Sequence, residues 1–338
     1  MKKIRFSIVG TGAISESAHI PSLLAIPEAI IDNICDIDND KLSFTSNKFS
    51  ISKTFSDYKN AIHDDVDAVI IATDAPAHAE IALYAIEKNI PVFMEKPITV
   101  SVEDAKSVYL ASKKKNVLVM VGYQLRHMAN HKKLKQYADN EEIGKIYNLH
   151  IRAETLVIKP DETLLIDYGT HFFDLVRFYV GKKIDSVYCD FISNDNQQQI
   201  GATTVIKFHD CEYQVVVETY WVPNFNWSDV DRSVTFLGEH GKMSTKMSIP
   251  EITLLKTKSI RDKKIGPRTF MPKEASNVYM SMGDYAYQKQ LEVFTDALLN
   301  NKEVFTDAYA GLMALKIADA ALYSAKNNIV VKGIEDDI

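Results

Sequence analysis

The sequence predicts an α/β protein of two domains. The first is a doubly wound parallel sheet, and the second is an α+β domain with an open, largely antiparallel sheet. Short apolar runs alternate with helical patterns up to residue 123, whereas two-residue alternation dominates after residue 145. A chain of 338 residues also exceeds what one hydrophobic core usually holds. We expect domains at 1–123 and 124–338, with the last helix able to pack back on the first.

The N-terminal pattern is typical of a dinucleotide-binding unit. An apolar strand at Ile4–Val9 runs directly into a glycine-containing turn and a helix, and a second strand at Ala29–Ile34 follows. The first glycine permits a tight turn, the second allows close approach of a diphosphate, and the helix N-terminus offers free N–H groups. The predicted cofactor-binding residues of this turn are Gly10, Thr11, Gly12, Ala13 and Ile14.

An acid at the end of the second strand indicates which cofactor is bound. Asp36 is placed to accept hydrogen bonds from the adenosine ribose, and its charge repels a 2′-phosphate. We therefore predict NAD, with NADP disfavoured, and a Rossmann fold for this domain. Ser15 occupies the position where this fingerprint usually has Gly or Ala.

Two further strands bring polar residues to the same edge of the parallel sheet. Thr73 and His78 follow the third predicted strand, and we expect both to line the cofactor groove, although a helix-start histidine is also commonly a surface residue. The strand at 91–95 is followed by the motif Glu95-Lys96-Pro97, and we expect Glu95 and Lys96 to bind the cofactor as well. Because Pro97 favours an extended backbone before it, Lys96 is expected to point out of the carboxyl edge, where open α/β sheets bind ligands.

One predicted helix interrupts the strands of the second half. Asp167 and His171 are four residues apart near its start, so they share a face. A carboxylate beside an imidazole suits general base catalysis. The alternative is a simple surface pair. The predicted strands are 146–157, 184–192, 202–208, 213–221, 233–238 and 242–247, and two long helices are predicted at 284–299 and 307–326.

These motifs together resemble the Gfo/Idh/MocA oxidoreductases. The matching segments are Gly10–Ser15, Asp36, Ala72-Thr73 with His78, Glu95-Lys96-Pro97, Gly122-Tyr123, Asp167–His171 and the helix around 307–324. The resemblance implies that Lys96 contacts the nicotinamide ribose and the substrate oxygen. It also implies that His171 takes the hydroxyl proton and that Asp167 holds the substrate and the base.

The sequence departs from the family pattern at positions near the expected substrate pocket. The family's usual glycine-rich stretch before Asp167 is absent, and Leu125-Arg126-His127 replaces the common Arg-Phe. Tyr123 and Arg126 are candidate substrate-binding residues, the latter for a phosphate. An aromatic and amide cluster (Trp221, Asn224, Asn226, Trp227) suits a sugar ring, and a basic run between Lys256 and Arg268 suits a phosphate. Sheet packing and a solvated loop are the alternatives.

Composition excludes several classes of protein. The net charge of −6 argues against a nucleic-acid binder. Three scattered cysteines have no metal-binding spacing, and no metal is expected. No apolar run is long enough for a membrane span. We expect a soluble, cytoplasmic NAD-dependent dehydrogenase of a sugar, cyclitol or sugar derivative, which forms a homodimer or homotetramer through its open sheet face. The alternative is a non-catalytic, NAD-binding regulator of the same fold.

Overall fold

The chain forms two compact units. The computed structural model describes residues 2–156, 164–195, 199–223, 225–226, 229–247, 251–256, 265–270 and 284–336. The first unit comprises Met1–Gln124 together with Met280–Leu315. The second unit comprises Leu125–Tyr279 together with Lys316–Ile338. Each unit is therefore assembled from two separate stretches of sequence.

The first unit contains a six-stranded parallel sheet in the order β3-β2-β1-β4-β5-β6. The order reverses between β1 and β4, and ligands of open α/β sheets bind at the carboxyl ends of such strands. All residues of β4, β5 and β6 are buried, as expected for a sheet covered on both faces. The strands are β1 (Ile4–Val9), β2 (Ala29–Cys35), β3 (Thr54–Phe55), β4 (Ala68–Ile71), β5 (Val92–Met94) and β6 (Val119–Val121).

Helices connect these strands and begin where the sequence supplies a cap. The side chain of Asp38 accepts hydrogen bonds at the start of α2, and the Ser101 hydroxyl accepts one from the N–H of Asp104 at 3.1 Å at the start of α5. α2 and α5 end at Ser50 and Asn116, which adopt the left-handed conformation. The helices are α1 (Ile20–Ala25), α2 (Asn39–Phe49), α3 (Tyr58–Ala61), α4 (His78–Glu87) and α5 (Val102–Lys115).

The second unit contains a nine-stranded sheet in the order β14-β13-β12-β11-β7-β10-β9-β8-β15. β7 and β10 are parallel, whereas the other neighbouring strands are antiparallel. The strands are β7 (Ile146–Thr155), β8 (Ile184–Ser193), β9 (Gln199–Phe208), β10 (Gln214–Trp221), β11 (Arg232–Gly238), β12 (Gly241–Lys246), β13 (Ile252–Lys256), β14 (Ile265–Phe270) and β15 (Val331–Lys332).

Alternation along the central strands separates a buried face from a polar one. On β7, Leu149, Ile151 and Ala153 are buried, whereas His150 and Arg152 on the other face are partly exposed. Two helices of this unit are α6 (Ala129–Asp139) and α7 (Thr170–Val180). Tyr179 of α7 packs on Phe236 of β11, with ring centroids 5.2 Å apart, so α7 covers the buried face.

The two C-terminal helices are α8 (Asp284–Asn300) and α9 (Ala308–Asn327). α8 completes the core of the first unit, because Phe294 packs against Phe6 at 6.3 Å and Phe93 at 5.9 Å between ring centroids. Burying one such phenylalanine stabilises the fold by about 1.5–3 kcal/mol. The division between the units falls within α9, after Leu315.

The predicted fold class is confirmed, and the differences are local. α2, β3, β13, β14 and β15 were not predicted, because they are short or lack an apolar period. The second-domain sheet contains a parallel central pair, which alternation alone does not reveal. α8 and the first part of α9, up to Leu315, belong to the first unit, whereas the rest of α9 belongs to the second, so the last helix is divided between the two units. Within the described residues, no helix is both long and apolar enough to cross a membrane.

Candidate active site

The predicted cofactor turn lies at the carboxyl end of β1. Gly10 has a φ of +100°, and a Cβ at this position would lie 2.5 Å from the backbone carbon and oxygen of Ala72, which follows β4. Only glycine fits such a turn. The Ser15 hydroxyl donates to the Gly10 carbonyl at 2.6 Å and closes the turn from inside. Ser15 therefore performs a structural task that Gly or Ala at this position could not.

Open space lies above the second glycine. A Cβ at Gly12 would meet no atom within 4 Å, and Ala13 and Ile14 start the helix with their side chains exposed or partly exposed. A single π-helical turn follows at Ser15–His19 and leads into α1. Such turns are frequent at functional sites. A helix start that faces open space fits the diphosphate of a dinucleotide.

Asp36 is oriented by the same turn. Its carboxylate accepts the Thr11 N–H at 2.7 Å, the Thr11 hydroxyl at 2.9 Å and the Asp38 N–H at 2.9 Å. An ionised carboxylate has about four acceptor positions, so one remains for a ribose hydroxyl. The predicted residues Gly10, Thr11 and Asp36 are thus brought together, and the link from Thr11 to Asp36 is one that sequence reasoning missed.

Thr73 and His78 are placed differently from each other. Thr73 is partly exposed, whereas His78 is buried, with Nδ1 2.9 Å from the Pro97 carbonyl and Nε2 3.0 Å from the Thr73 carbonyl. Burial lowers the pKa of His78 and outweighs the hydrogen bonds to these carbonyls, which raise it. The expected direct contact of His78 with the cofactor is not supported. The ring instead joins the segment after β4 to the segment after β5.

Glu95 and Lys96 follow β5 and have opposite environments. The Glu95 carboxylate is buried, lies 2.9 Å from Nε2 of His19 and accepts the Lys96 N–H at 3.2 Å. Burial raises the pKa of Glu95, but the hydrogen bond from His19 and the charges of His19 and Lys96 bring it below its ordinary value. Lys96 is partly exposed, and the Lys96–Pro97 peptide bond is cis.

Two expected substrate-binding residues are buried. Tyr123 is fully buried, so its ring is part of the core and a substrate contact is not supported. Arg126 pairs with Asp174 of α7: its Nε lies 2.6 Å from Oδ2 and one terminal nitrogen lies 2.5 Å from Oδ1. The two side chains are 8% and 0% exposed. The guanidinium thus neutralises a buried carboxylate, which argues against its expected role as a receptor for a substrate phosphate.

Asp167 and His171 lie at the start of α7. Leu165–Gly169 is a second π-helical turn, and it continues directly into the helix. Both residues are partly exposed, whereas Phe172, Leu175 and Val176 are buried on the opposite side. The rings of Tyr168 and Phe172 each lie 6.4 Å from the His171 ring. A carboxylate and an imidazole therefore both reach the surface near the start of α7, and their sharing of one face stays a prediction of their spacing.

The proposed sugar-binding cluster is described only in part. The Trp221 indole N–H donates to the Leu156 carbonyl at 3.1 Å, and Asn226 bonds Asp229. Asn224 and Trp227 lie outside the described residues, as does most of the basic run between Lys256 and Arg268.

Two profiles of one protein family match this chain. A profile described as an oxidoreductase family with an NAD-binding Rossmann fold matches residues 4–123. The profile of that oxidoreductase family's C-terminal alpha/beta domain matches residues 136–332. The chain belongs to the Gfo/Idh/MocA oxidoreductase family. The predicted family, the oxidoreductase class and the NAD-binding fold of this member are thereby confirmed.

Several relatives of this family member have been named. An uncharacterized oxidoreductase of Bacillus subtilis is 25% identical over 96% of this chain and 94% of the relative. Myo-inositol 2-dehydrogenase of Thermotoga maritima is 28% identical over 55% of this chain and 58% of the relative. The match thus spans just over half of that dehydrogenase. Levoglucosan dehydrogenase, in complex with NADH and levoglucosan, shares the fold, with a TM-score of 0.86, 20% identity and coverage of 98% and 99%.

Replacing Asp36 with serine is expected to change cofactor preference. Loss of the carboxylate removes a ribose acceptor and the repulsion of a 2′-phosphate, so NAD should bind about tenfold more weakly and the NAD-to-NADP affinity ratio should fall by more than that. Calorimetric titration with both dinucleotides measures this. Asp40→Asn, an exposed acid at the start of α2, is the control and should leave the ratio unchanged. An unchanged ratio in Asp36→Ser would contradict the assignment.

Replacing Arg126 with alanine is expected to lower the free energy of unfolding by about 3–5 kcal/mol, because Asp174 is left buried and unpaired. Urea denaturation measures this. The double variant Arg126→Met/Asp174→Leu should recover most of the loss. Lys135→Ala, which breaks a surface pair with Asp139 at 2.8 Å, should cost less than about 1 kcal/mol. Wild-type stability of Arg126→Ala would instead favour a ligand-binding role.

Proposed function

We propose that this protein is an NAD-dependent dehydrogenase that interconverts a secondary alcohol and a ketone on a cyclitol, a sugar or a sugar derivative. The observation that carries the proposal is the start of α7, where Asp167 and His171 are partly exposed beside the buried run Phe172–Val176. Relatives named inositol 2-dehydrogenase and the similar fold of levoglucosan dehydrogenase support the substrate class.

His171 acts as the base in the proposed reaction. Its Nδ1 atom is buried, so the hydroxyl proton is taken at Nε2. The Asp167 carboxylate orients the ring and favours its protonated form as the proton arrives. Lys96 supplies a positive charge for the alkoxide character that develops on the substrate oxygen. These roles need one base, one orienting acid and one cation, and the chain has a residue for each.

The cofactor would be held by the turn that ends β1. Gly10 and Gly12 allow its close approach, Thr11 and Asp36 would receive the adenosine ribose, and Thr73 and Lys96 would lie along the nicotinamide half. When bound, NAD supplies the hydride acceptor for the oxidation. The protein's own residues bind, orient and move the proton.

We further propose that the protein associates through the open face of its second-unit sheet. Tyr188, Val205 and Val216 lie side by side on neighbouring strands of that face and remain partly exposed. Next to them, His150 and Glu218 are paired at 2.9 Å, and Arg152 lies 5.1 Å above the Tyr220 ring. A mixed face of this kind suits a homodimer or homotetramer.

Replacing His171 with alanine is expected to lower kcat by about 10²–10⁴-fold, because the proton acceptor is lost. Lys96→Ala should also lower kcat strongly. Affinity for NAD should stay within about threefold in the His171 variant. Absorbance of NADH, recorded with inositols, sugars and sugar phosphates, measures turnover. His209→Ala, an exposed histidine of the same unit, is the control.

Wild-type kcat in His171→Ala would exclude this residue as the base. NAD binding without turnover on any of the compounds would favour the non-catalytic regulator.

Val216→Arg is expected to shift the protein towards monomer, because it places a charge in the middle of the apolar part of the interface. Light scattering coupled to size-exclusion chromatography measures the mass. Lys114→Glu, on the exposed side of α5, is the control and should leave the mass unchanged. An unchanged oligomer in Val216→Arg would place the interface elsewhere.

A further inference from the structure

We propose that His19 is a positioning residue that holds Lys96 in place through the carboxylate of Glu95. The inference rests on the proposed function, in which Lys96 is the cation at the substrate oxygen. His19 lies 76 residues before Glu95 in the chain and follows the cofactor turn, so it joins the two parts of the first unit that the reaction uses.

The position of His19 is closely defined. It is the last residue of the π-helical turn that begins at Ser15, and its side chain is 0% exposed. Its ring packs edge-on against Phe93 of β5 and Tyr287 of α8, with centroids 5.5 and 5.8 Å away. Contacts with two aromatic rings therefore hold the imidazole in place, in addition to its hydrogen bond.

Glu95 is fixed by three contacts of its own. The carboxylate faces Nε2 of His19 with one oxygen and accepts the Lys96 N–H with the other. It also lies against the end of β6, since a Cβ at Gly122 would come within 3.1–3.2 Å of its carboxyl atoms. Because the ionised carboxylate can only accept hydrogen bonds, Nε2 of His19 must be the donor.

The pair therefore has little freedom to rearrange. An ionised carboxylate in this buried place is costly unless it is paired. Without His19, Glu95 must rotate towards another donor or admit water, and either change disturbs the hydrogen bond to the Lys96 backbone. A small displacement of a group that contacts the reacting atoms can reduce turnover strongly. His19 thus acts on the reaction without contact with the substrate.

The polar role of His19 can be separated from its bulk. Within the described part of the chain, Nδ1 is buried and makes no hydrogen bond, so the contact through Nε2 carries the polar role. Glutamine can place an N–H donor close to that position, whereas leucine fills the space without a donor. His131, equally buried and 2.6 Å from the Tyr179 hydroxyl, offers a matched control in the second unit.

The test compares His19→Leu, His19→Gln and His131→Leu. The first readout does not depend on turnover. It is the rate at which an N-hydroxysuccinimide ester acylates the Lys96 amine, relative to the rate for the exposed Lys114, and peptide mass spectrometry measures both rates. In His19→Leu the relative rate should change by at least about threefold, because the amine is displaced, and in His19→Gln it should stay near the wild-type rate. The second readout is kcat with NAD and the compound that the wild type oxidises fastest.

In His19→Leu, kcat should fall by about tenfold or more, while the Kd for NAD stays within about threefold. His19→Gln should recover most of kcat, and His131→Leu should lose thermal stability but keep kcat. The inference would be overturned if Lys96 in His19→Leu were acylated at the wild-type relative rate. It would also be overturned if His131→Leu lost as much kcat as His19→Leu. Turnover that persists in Lys96→Ala would overturn the proposed role of Lys96 instead, so the two failures are distinguishable.

Discussion

The close approach of Gly10 to the backbone of Ala72 is the constraint on which the first unit depends. It brings the turn after β1 against the segment after β4, at the point where the strand order reverses. Two further hydrogen bonds stabilise the turn in this position. The Ser15 hydroxyl donates to the Gly10 carbonyl, and the Thr11 hydroxyl donates to the carboxylate of Asp36, which follows β2. His78 then ties the segment after β4 to that after β5, so the carboxyl edge is held by polar contacts between successive strands.

In the second unit, two polar residues lie partly exposed near the start of α7, a helix whose apolar side is buried. The apolar side of α7 packs on the sheet, and the buried pair of Arg126 and Asp174 attaches the segment before α6 to the same helix. Such a pair contributes little net stability compared with apolar side chains of similar volume, but removing one partner is costly. Its effect is to fix which segment lies beside the helix that carries His171.

Much of the fold was predictable because its signals are local. An apolar run followed by Gly10 and Gly12 indicates a strand and a turn, and alternation along β7 indicates a sheet with one buried face. The candidate site could be outlined from the sequence as a set of motifs, but the burial of Tyr123, His78 and Arg126 could not be predicted. His78 and Arg126 are held by contacts with Pro97 and Asp174, which are 19 and 48 residues away in the sequence. The contact between His19 and Glu95 could not be predicted either, because the two residues are 76 positions apart in the sequence and only the fold brings them together.

The return of α8 to the first unit also has a consequence for synthesis. Phe294 completes a core whose other aromatic members, Phe6 and Phe93, leave the ribosome far earlier. At ordinary elongation rates, the interval between the end of β6 and the end of α8 is on the order of tens of seconds. A parallel sheet that forms in this interval lacks α8, so part of its apolar surface is in contact with water. We therefore expect the nascent first unit to need protection from aggregation until translation has nearly finished.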